Sequence, residues 1–190
     1  MQIPIILIGP MCAGKTTVGE KVATKLNIPQ CSMDEVRFSY YREIGFSKET
    51  QQQIGEKQGF QGMYAYWKPF EAYAVKRILE EYKHAVIDFG AGHSVYEDIK
   101  LFQQVEKTLK PYDSLFLLLP SADREESIQI LHQRLQQITD DNDIFELNKH
   151  FVKHPSNRTL AKQTIYTKGK SADTVAEEMI LSIKRSESID

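Results

Sequence analysis

A glycine-rich stretch near the start of the chain has the residue types and spacing of a phosphate-binding loop. Residues 9–16 read Gly-Pro-Met-Cys-Ala-Gly-Lys-Thr, which is the G-x-x-x-x-G-K-T pattern of the P-loop. The glycines let the backbone turn its N–H groups towards an anion, Lys15 places a positive charge near the phosphates, and the Thr16 hydroxyl is a ligand for Mg²⁺. The expected nucleotide-binding residues are Gly9, Met11, Cys12, Ala13, Gly14, Lys15, Thr16 and Thr17.

The pattern is meaningful only between a strand and a helix, and the flanking sequence predicts both. Residues 3–8 are a short apolar run suited to a buried parallel strand. Val18, Val22 and Leu26 recur every four residues, which predicts a helix that begins at about Lys15. The alternative is an ordinary glycine turn, and we favour phosphate binding because the loop and both flanks agree.

Two carboxylates end later predicted strands. Asp34 ends a predicted second strand about twenty residues after the loop, where it could orient or deprotonate an acceptor hydroxyl, or cap a helix. Asp88 ends the apolar run 85–89, an arrangement in which a carboxylate supports Mg²⁺, although it could equally bond a neighbouring backbone. Phe89 follows Asp88 in place of the Glu that activates water in many motor ATPases, which disfavours simple ATP hydrolysis.

Other residues could bind an acceptor molecule beside the phosphates. The sequence Gly-Ala-Gly at residues 90–92 allows close backbone approach to a ligand, or simply forms a tight turn. Arg37 and Lys68 are candidates for holding an acidic or phosphorylated acceptor. Lys68 lies in an aromatic stretch that includes the single tryptophan of the chain. The expected acceptor-binding residues are Asp34, Arg37, Lys68, Gly90, Ala91 and Gly92.

A charged segment after the fourth predicted strand is expected to be a mobile surface segment rather than part of the core. Residues 139–158 cluster acids, lysines and histidines, and we interpret them as a lid-like segment. Arg134 precedes this segment and Arg158 ends it, so either guanidinium could reach the transferring phosphoryl group, or could be an ordinary surface residue. His150 and His154 could share a helix face, but no third ligand has a suitable spacing, so the sequence does not predict zinc.

Strands alternate with helices along the chain, which predicts an α/β fold. We expect a three-layer αβα P-loop domain over residues 1–190, with a mainly five-stranded parallel sheet. Residues 34–83 would form a helical acceptor-binding part, with one helix beginning at Pro69. A further helix, capped by Ser121, would carry Ile138 on its apolar stripe. Because ligands bind beyond the carboxyl ends of parallel strands, the loop, Asp34 and Asp88 should converge.

Composition narrows the possible partners and location. A net charge of −2 argues against nucleic acid as the main partner. The two cysteines cannot form a disulfide framework, and the N-terminal apolar run of six residues is too short for a signal peptide or a membrane span. We expect a cytoplasmic protein without membrane partners, acting as a monomer or homodimer on a small molecule.

The chain resembles the shikimate kinase branch of the small P-loop kinases. Residues 9–19 resemble the family's G-K-S/T-T-V-G opening, and Asp34 matches the second Asp of its D-x-D, which meets the substrate hydroxyl. Lys68 and Glu71 keep the spacing of its F-R-x-x-E, with Lys68 at the substrate-binding Arg. Residues 90–92 lie where the family has three glycines. The resemblance also implies a lid over 139–156, with Arg158 matching an Arg that follows it.

The sequence also departs from the family's pattern. Ser32 stands where the family has the first, metal-supporting Asp, and we infer that this carboxylate has moved to Asp88. Lys68 in place of Arg removes a bidentate clamp for a carboxylate, and Ala91 interrupts the glycine triplet. These departures affect the acceptor half of the site and leave the nucleotide half intact.

We therefore expect an ATP-dependent phosphotransferase that uses Mg²⁺ and acts on a small hydroxylated metabolite. The alternatives are a nucleoside, nucleotide or antibiotic phosphotransferase, a P-loop ATPase, or a nucleotide-dependent regulatory protein. The expected catalytic residues are Lys15, Asp34, Arg134 and Arg158, and the expected metal-supporting residues are Thr16 and Asp88.

Overall fold

The computed structural model describes residues 3–187, and a parallel sheet forms its centre. The five strands are adjacent in the order β2-β3-β1-β4-β5, and every pair of neighbours is parallel. This confirms the predicted α/β fold and its five-stranded parallel sheet. The predicted domain also includes residues 1–2 and 188–190, which lie outside the described residues. The strands are β1 (Ile5–Ile8), β2 (Gln30–Ser32), β3 (Val86–Asp88), β4 (Leu115–Leu119) and β5 (Gln163–Tyr166).

Helices cover both faces of the sheet. They are α1 (Lys15–Leu26), α2 (Met33–Glu43), α3 (Lys48–Glu81), α4 (Ile99–Leu109), α5 (Arg124–Leu135), α6 (Asn142–Lys153), α7 (Ser156–Leu160) and α8 (Ala172–Glu187), with a 3₁₀ turn at Ala91–Ser94.

The alternating side chains of β1 divide the core into two halves. Ile5 and Leu7 pack with apolar residues of α1 and α8, whereas Ile6 and Ile8 pack with those of α2, α3 and α4. All four side chains of β1 are fully buried, as expected for a central strand covered on both faces. The end of β1 is therefore held rigidly, and the loop that follows it starts from a fixed position.

The helical part between β2 and β3 is more continuous than predicted. Instead of short pieces followed by a helix from Pro69, one long element, α3, spans Lys48–Glu81 and is kinked at Gly59, whose φ of 65° is not helical. Pro69 lies inside this helix, where it removes a backbone hydrogen bond. Burial of Phe70, Ala74 and Ile78 against the sheet offsets that cost.

Two further predictions about the second half of the chain were wrong. The cap of α5 is Asp123, whose side chain accepts from the N–H of Glu126, and not Ser121. The helix ends at Leu135, so Ile138 lies outside it and is 72% exposed.

The segment 139–158 contains regular structure, because α6 packs on α5 and buries Phe151 and Val152.

None of the helices in the described part of the chain combines the length and the apolar character that crossing a lipid bilayer requires.

Candidate active site

The loop between β1 and α1 has the backbone geometry of an anion nest. Gly9 has a φ of 140° and Gly14 a φ of 91°, and Cys12 between them has a φ of 60°. A Cβ at Gly9 would lie 2.6 Å from the carbonyl oxygen of Leu118 in β4, so this position tolerates only glycine. The loop therefore lies against the sheet at the start of α1, where the helix N-terminus favours an anion.

Lys15 is the first residue of α1 and is almost fully buried. Its ammonium donates hydrogen bonds to the carbonyl oxygens of Gly9 and Pro10, each at 2.9 Å. Burial lowers the pKa of Lys15, while the carboxylates of Asp34 and Asp88 oppose this effect. The ammonium therefore lies at the centre of the loop, where a bound phosphate would be its natural counter-ion.

Asp88 is a buried carboxylate at which two strands and α1 meet. Its Oδ1 accepts from the hydroxyls of Thr16, at 2.8 Å, and Ser32, at 3.0 Å. Its Oδ2 accepts from the amide of Gln30 at 2.8 Å, and the same amide nitrogen bonds the carbonyl of Thr16. A carboxylate beside the P-loop threonine fits the hard oxygen ligands that Mg²⁺ prefers.

Asp34 lies in the first turn of α2 rather than on a strand. Its Oδ1 pairs with Nη1 of Arg37 at 3.2 Å, and its side chain remains 57% exposed. A Cβ at Gly90 would come within 2.5 Å of the Asp34 carboxylate, so the absence of a side chain at Gly90 makes room for this acid. The structure thus brings Asp34 together with Arg37 and Gly90, two of the other residues expected at the acceptor.

Lys68 and Glu71 form a buried ion pair one helical turn apart. The Lys68 ammonium donates to Glu71 at 2.6 Å and to the carbonyl oxygens of Gly92 and Val95, each at 3.1 Å. Burial raises the pKa of Glu71, while Lys68 opposes the shift. The three hydrogen atoms of this ammonium thus have three protein acceptors, and a Cβ at Gly92 would overlap the Glu71 carboxylate.

A cavity of about 330 Å³ opens between these groups and α6, and we call it the acceptor cavity. Its polar lining includes Asp34, Glu71 and Gln51, and Arg37 is the cation among its described lining residues. Much of the remaining wall is aromatic or apolar: Met11, Phe38, Tyr41, Tyr64, Trp67, Ile144, Leu147 and Phe151. A small molecule that combines hydroxyl groups with an apolar face fits this lining.

The two candidate arginines occupy different surroundings. Arg134, near the end of α5, donates from Nη1 to the carbonyl oxygen of Cys12 at 3.0 Å, so its guanidinium lies at the P-loop. Arg158 lies in α7, and its buried Nε has no hydrogen-bond partner among the described residues. It is not one of the described residues that line the acceptor cavity.

The sequence analysis did not assign three polar residues to the site, because their hydrogen-bond partners are distant in sequence or belong to no recognisable motif. Asn148 of α6 accepts from the N–H of Met11 at 2.8 Å and donates to its carbonyl oxygen at 3.2 Å, across 137 positions. Gln30 holds Asp88. His93 is fully buried and contacts the hydroxyl of Tyr41 at 3.0 Å. The sequence offers one signal, and only for Asn148: residues 148–151 resemble the guanine-reading pattern N-K-x-D, but Phe151 stands in place of its Asp.

The pKa of His93 lies well below its ordinary value, because the ring is buried and because Arg37 and Lys68 are nearby. The ring is therefore neutral, and it supports the wall of the acceptor cavity through Tyr41 without adding charge.

A family model and several curated relatives match the chain. A family model described as shikimate kinase matches residues 11–184. The shikimate kinase of Aquifex aeolicus is 30% identical over 182 residues, covering 95% of each chain. The shikimate kinase of Enterococcus faecalis is 27% identical over 186 residues, covering 95% of this chain and 98% of the relative.

A solved structure supports the fold independently. Shikimate kinase from Acinetobacter baumannii, in complex with shikimate, superposes with a TM-score of 0.62 at 22% identity, covering 97% of this chain and 94% of that one. At this identity the likeness shows the fold alone.

The bonds between Asn148 and Met11 predict a test of how α6 supports the loop. Asn148→Ala should lower the free energy of unfolding by about 1–3 kcal/mol, because it leaves two backbone groups of Met11 without partners. The variant should also bind ATP more weakly. Equilibrium denaturation and nucleotide titration measure the two effects. Lys149→Ala is the matched control, since its ion pair with Glu146 is exposed; equal effects in both variants would contradict the support role.

Proposed function

The chain belongs to the shikimate kinase family, and on that premise we propose that it moves the γ-phosphoryl group of ATP to a hydroxyl of a small metabolite held in the acceptor cavity. Family membership makes the protein an ATP-dependent small-molecule kinase. The observation that carries the finer proposal is the position of Asp34, which lies at the acceptor cavity and interacts electrostatically with Lys15 of the P-loop.

The nucleotide half of the site would act mainly through positioning and electrostatics. The loop N–H groups and Lys15 would hold the phosphates, and Thr16 and Asp88 would hold Mg²⁺. When bound, Mg²⁺ neutralises charge on the phosphate oxygens. Arg134 is placed to add a further cation, because its guanidinium already contacts the loop backbone. This contact favours Arg134 over Arg158 for the role beside the transferring group.

Transfer would begin with the acceptor hydroxyl hydrogen-bonded to the Asp34 carboxylate. Asp34 orients this oxygen for in-line attack on the γ-phosphorus and takes up its proton as the new O–P bond forms. The bond between the γ-phosphorus and the bridging oxygen breaks, and ADP leaves with that oxygen. Arg37 holds Asp34 from the side, so the acid is oriented before the acceptor binds.

The identity of the acceptor depends on the cations in the cavity. Lys68 is engaged by Glu71 and two carbonyl oxygens, which leaves Arg37 as the described lining cation for a carboxylate. Arg37 is itself paired with Asp34. We therefore propose that the acceptor is recognised chiefly through hydroxyl groups and an apolar face. Shikimate is the first compound to test, and a nucleoside or antibiotic hydroxyl is the alternative that the aromatic wall favours.

Asp34→Asn tests the proposed mechanism directly. The amide cannot accept the hydroxyl proton, so acceptor-dependent ADP release should fall at least about a hundredfold, while ATP binding stays within about twofold. Coupled ADP assays and nucleotide titration give the two numbers. Lys15→Ala provides the inactive reference, and Glu35→Gln is the exposed neighbour on α2 that should behave like the parent chain. Normal transfer by Asp34→Asn would show that another group activates the acceptor.

Asp88→Asn tests metal support. The loss of charge should raise the Mg²⁺ concentration needed for half-maximal activity by about tenfold or more, since one charged oxygen ligand becomes neutral. Ser32→Ala is the control, because it removes one hydrogen bond and keeps the carboxylate. Thermal unfolding of both variants separates loss of structure from loss of metal. An unchanged Mg²⁺ requirement in Asp88→Asn would remove Asp88 from the metal site.

A panel of hydroxylated acceptors tests substrate recognition. We expect ADP release to be stimulated by shikimate or another compound of the panel. Replacing the carboxylate of an active acceptor by an amide should change kcat/KM by less than about tenfold, because Arg37, the cation among the described lining residues, is already paired with Asp34. The assay should be repeated with Asp34→Asn, which should not respond to any acceptor. A loss of a hundredfold or more with the amide would show that a carboxylate is the main recognition element.

A further inference from the structure

Three potential metal ligands meet at the outer side of α6. Their ligand atoms all lie within 4.8 Å of one another, and the residues are Glu97, His150 and His154. His150 lies in the last turn of α6 and His154 follows it, whereas Glu97 belongs to the segment that precedes α4. We propose that this cluster is a binding site for a divalent transition-metal ion, with Zn²⁺ the best fit, which joins α6 to the segment before α4.

The ligand set matches what such ions require. Zn²⁺ binds two His nitrogens and one carboxylate at about 2.0–2.2 Å, with a fourth position for water. His150 Nε2 and Glu97 Oε1 are hydrogen-bonded at 2.6 Å, and an ion would replace this bond by moving the two atoms slightly apart. The side chains of His150 and Glu97 are 39% and 43% exposed, so an ion and its water have access to the site.

A neighbouring side chain orients the carboxylate. The hydroxyl of Tyr64 donates to Glu97 Oε1 at 2.9 Å. Metal-binding carboxylates in proteins are commonly held by such an outer hydrogen bond, which fixes their direction.

The ring of His154 supplies the third ligand atom of the cluster. The ring already accepts a long hydrogen bond at Nδ1 from the N–H of Ser156, at 3.3 Å. An ion bound through Nε2 leaves this bond intact, and one bound through Nδ1 displaces only a weak bond.

The surroundings favour a cation. A second cavity, of about 690 Å³, borders the cluster and is lined by Glu97 together with Asp98, Asp143 and Glu146. The cation in its described lining is Lys68, whose charge is balanced by Glu71. The negative charges of these carboxylates raise the local concentration of divalent ions, although Glu146 also pairs with Lys149. The two imidazoles then select a transition metal over Mg²⁺, which prefers oxygen ligands.

The cluster is separate from the site proposed for Mg²⁺. That site uses Thr16 and Asp88 at the P-loop, whereas the cluster uses none of these residues. Sequence spacing could not have found it, because Glu97 lies 53 positions before His150.

Metal titration of the 190-residue chain, purified without a polyhistidine tag, tests the proposal. We expect one Co²⁺ per chain, with the visible absorption bands of tetrahedral coordination that Zn²⁺ then displaces. Glu97→Gln and His154→Ala should each weaken binding at least about tenfold, and Tyr64→Phe should weaken it without removing a ligand. Zn²⁺ should raise the Tm of the parent chain and not that of Glu97→Gln.

The matched control is His84→Ala, which removes an exposed histidine far from the cluster in sequence and should bind the metal like the parent chain. The proposal is overturned if Co²⁺ does not saturate at one ion per chain, or if Glu97→Gln and His154→Ala bind as tightly as the parent chain. Neither outcome bears on phosphoryl transfer, which is measured with Mg²⁺ alone.

Discussion

The arrangement of the nucleotide half of the site depends on one buried carboxylate. Asp88 is 2% exposed, and a charge at that depth is tolerated only when donors surround it. The parallel register pairs it with Ser32 on β2 and with Leu7 on β1. The donors to its side chain come from Gln30 and Ser32 of β2 and from Thr16 of α1. This arrangement explains why a serine is found at position 32. A second carboxylate there would face Asp88 across the strand pair and repel it. A hydroxyl donates instead, which supports the inference that the acid has moved between strands.

The acceptor half of the site also contains buried charges that need partners, here a pair of opposite charges. Lys68 and Glu71 are both nearly buried, and such a pair is favourable only if further hydrogen bonds complete it. The carbonyl oxygens of Gly92 and Val95 supply them, and the missing side chain of Gly92 gives the Glu71 carboxylate its space. The Lys68 ammonium also lies 4.2 Å from the centre of the Tyr64 ring. The Lys68 ammonium is therefore occupied by protein acceptors, and Arg37 is the cation among the described residues that line the acceptor cavity.

Local sequence patterns predicted what short-range physics determines. The P-loop, the strands, Asp88 at the end of β3 and Asp34 just after β2 can be recognised from a few neighbouring residues, and strand direction brings them to one edge of the sheet. The patterns failed where distant contacts decide. The burial of α3 against the sheet carries the helix through Pro69, and packing against α5 turns the charged segment after residue 139 into α6. The hydrogen bond between Asn148 and Met11 joins residues that only the tertiary structure brings together.

These distant contacts make α6 a shared support rather than a separate flap. Along this helix, Asn148 binds the P-loop backbone, while Phe151 packs with Ala91 and Val95 beside the acceptor cavity. The N–H of Met11 is thus bonded to α6 instead of being free for a phosphate, so the remaining loop N–H groups must provide the nest. Any nucleotide that reshapes the loop at Met11 must also change the position or bonding of Asn148. A bound acceptor that shifts α6 therefore changes the affinity for the nucleotide. By linkage, the nucleotide changes the affinity for the acceptor by the same factor. Coupling between the two substrates can therefore arise at this pair of hydrogen bonds without a hinge elsewhere.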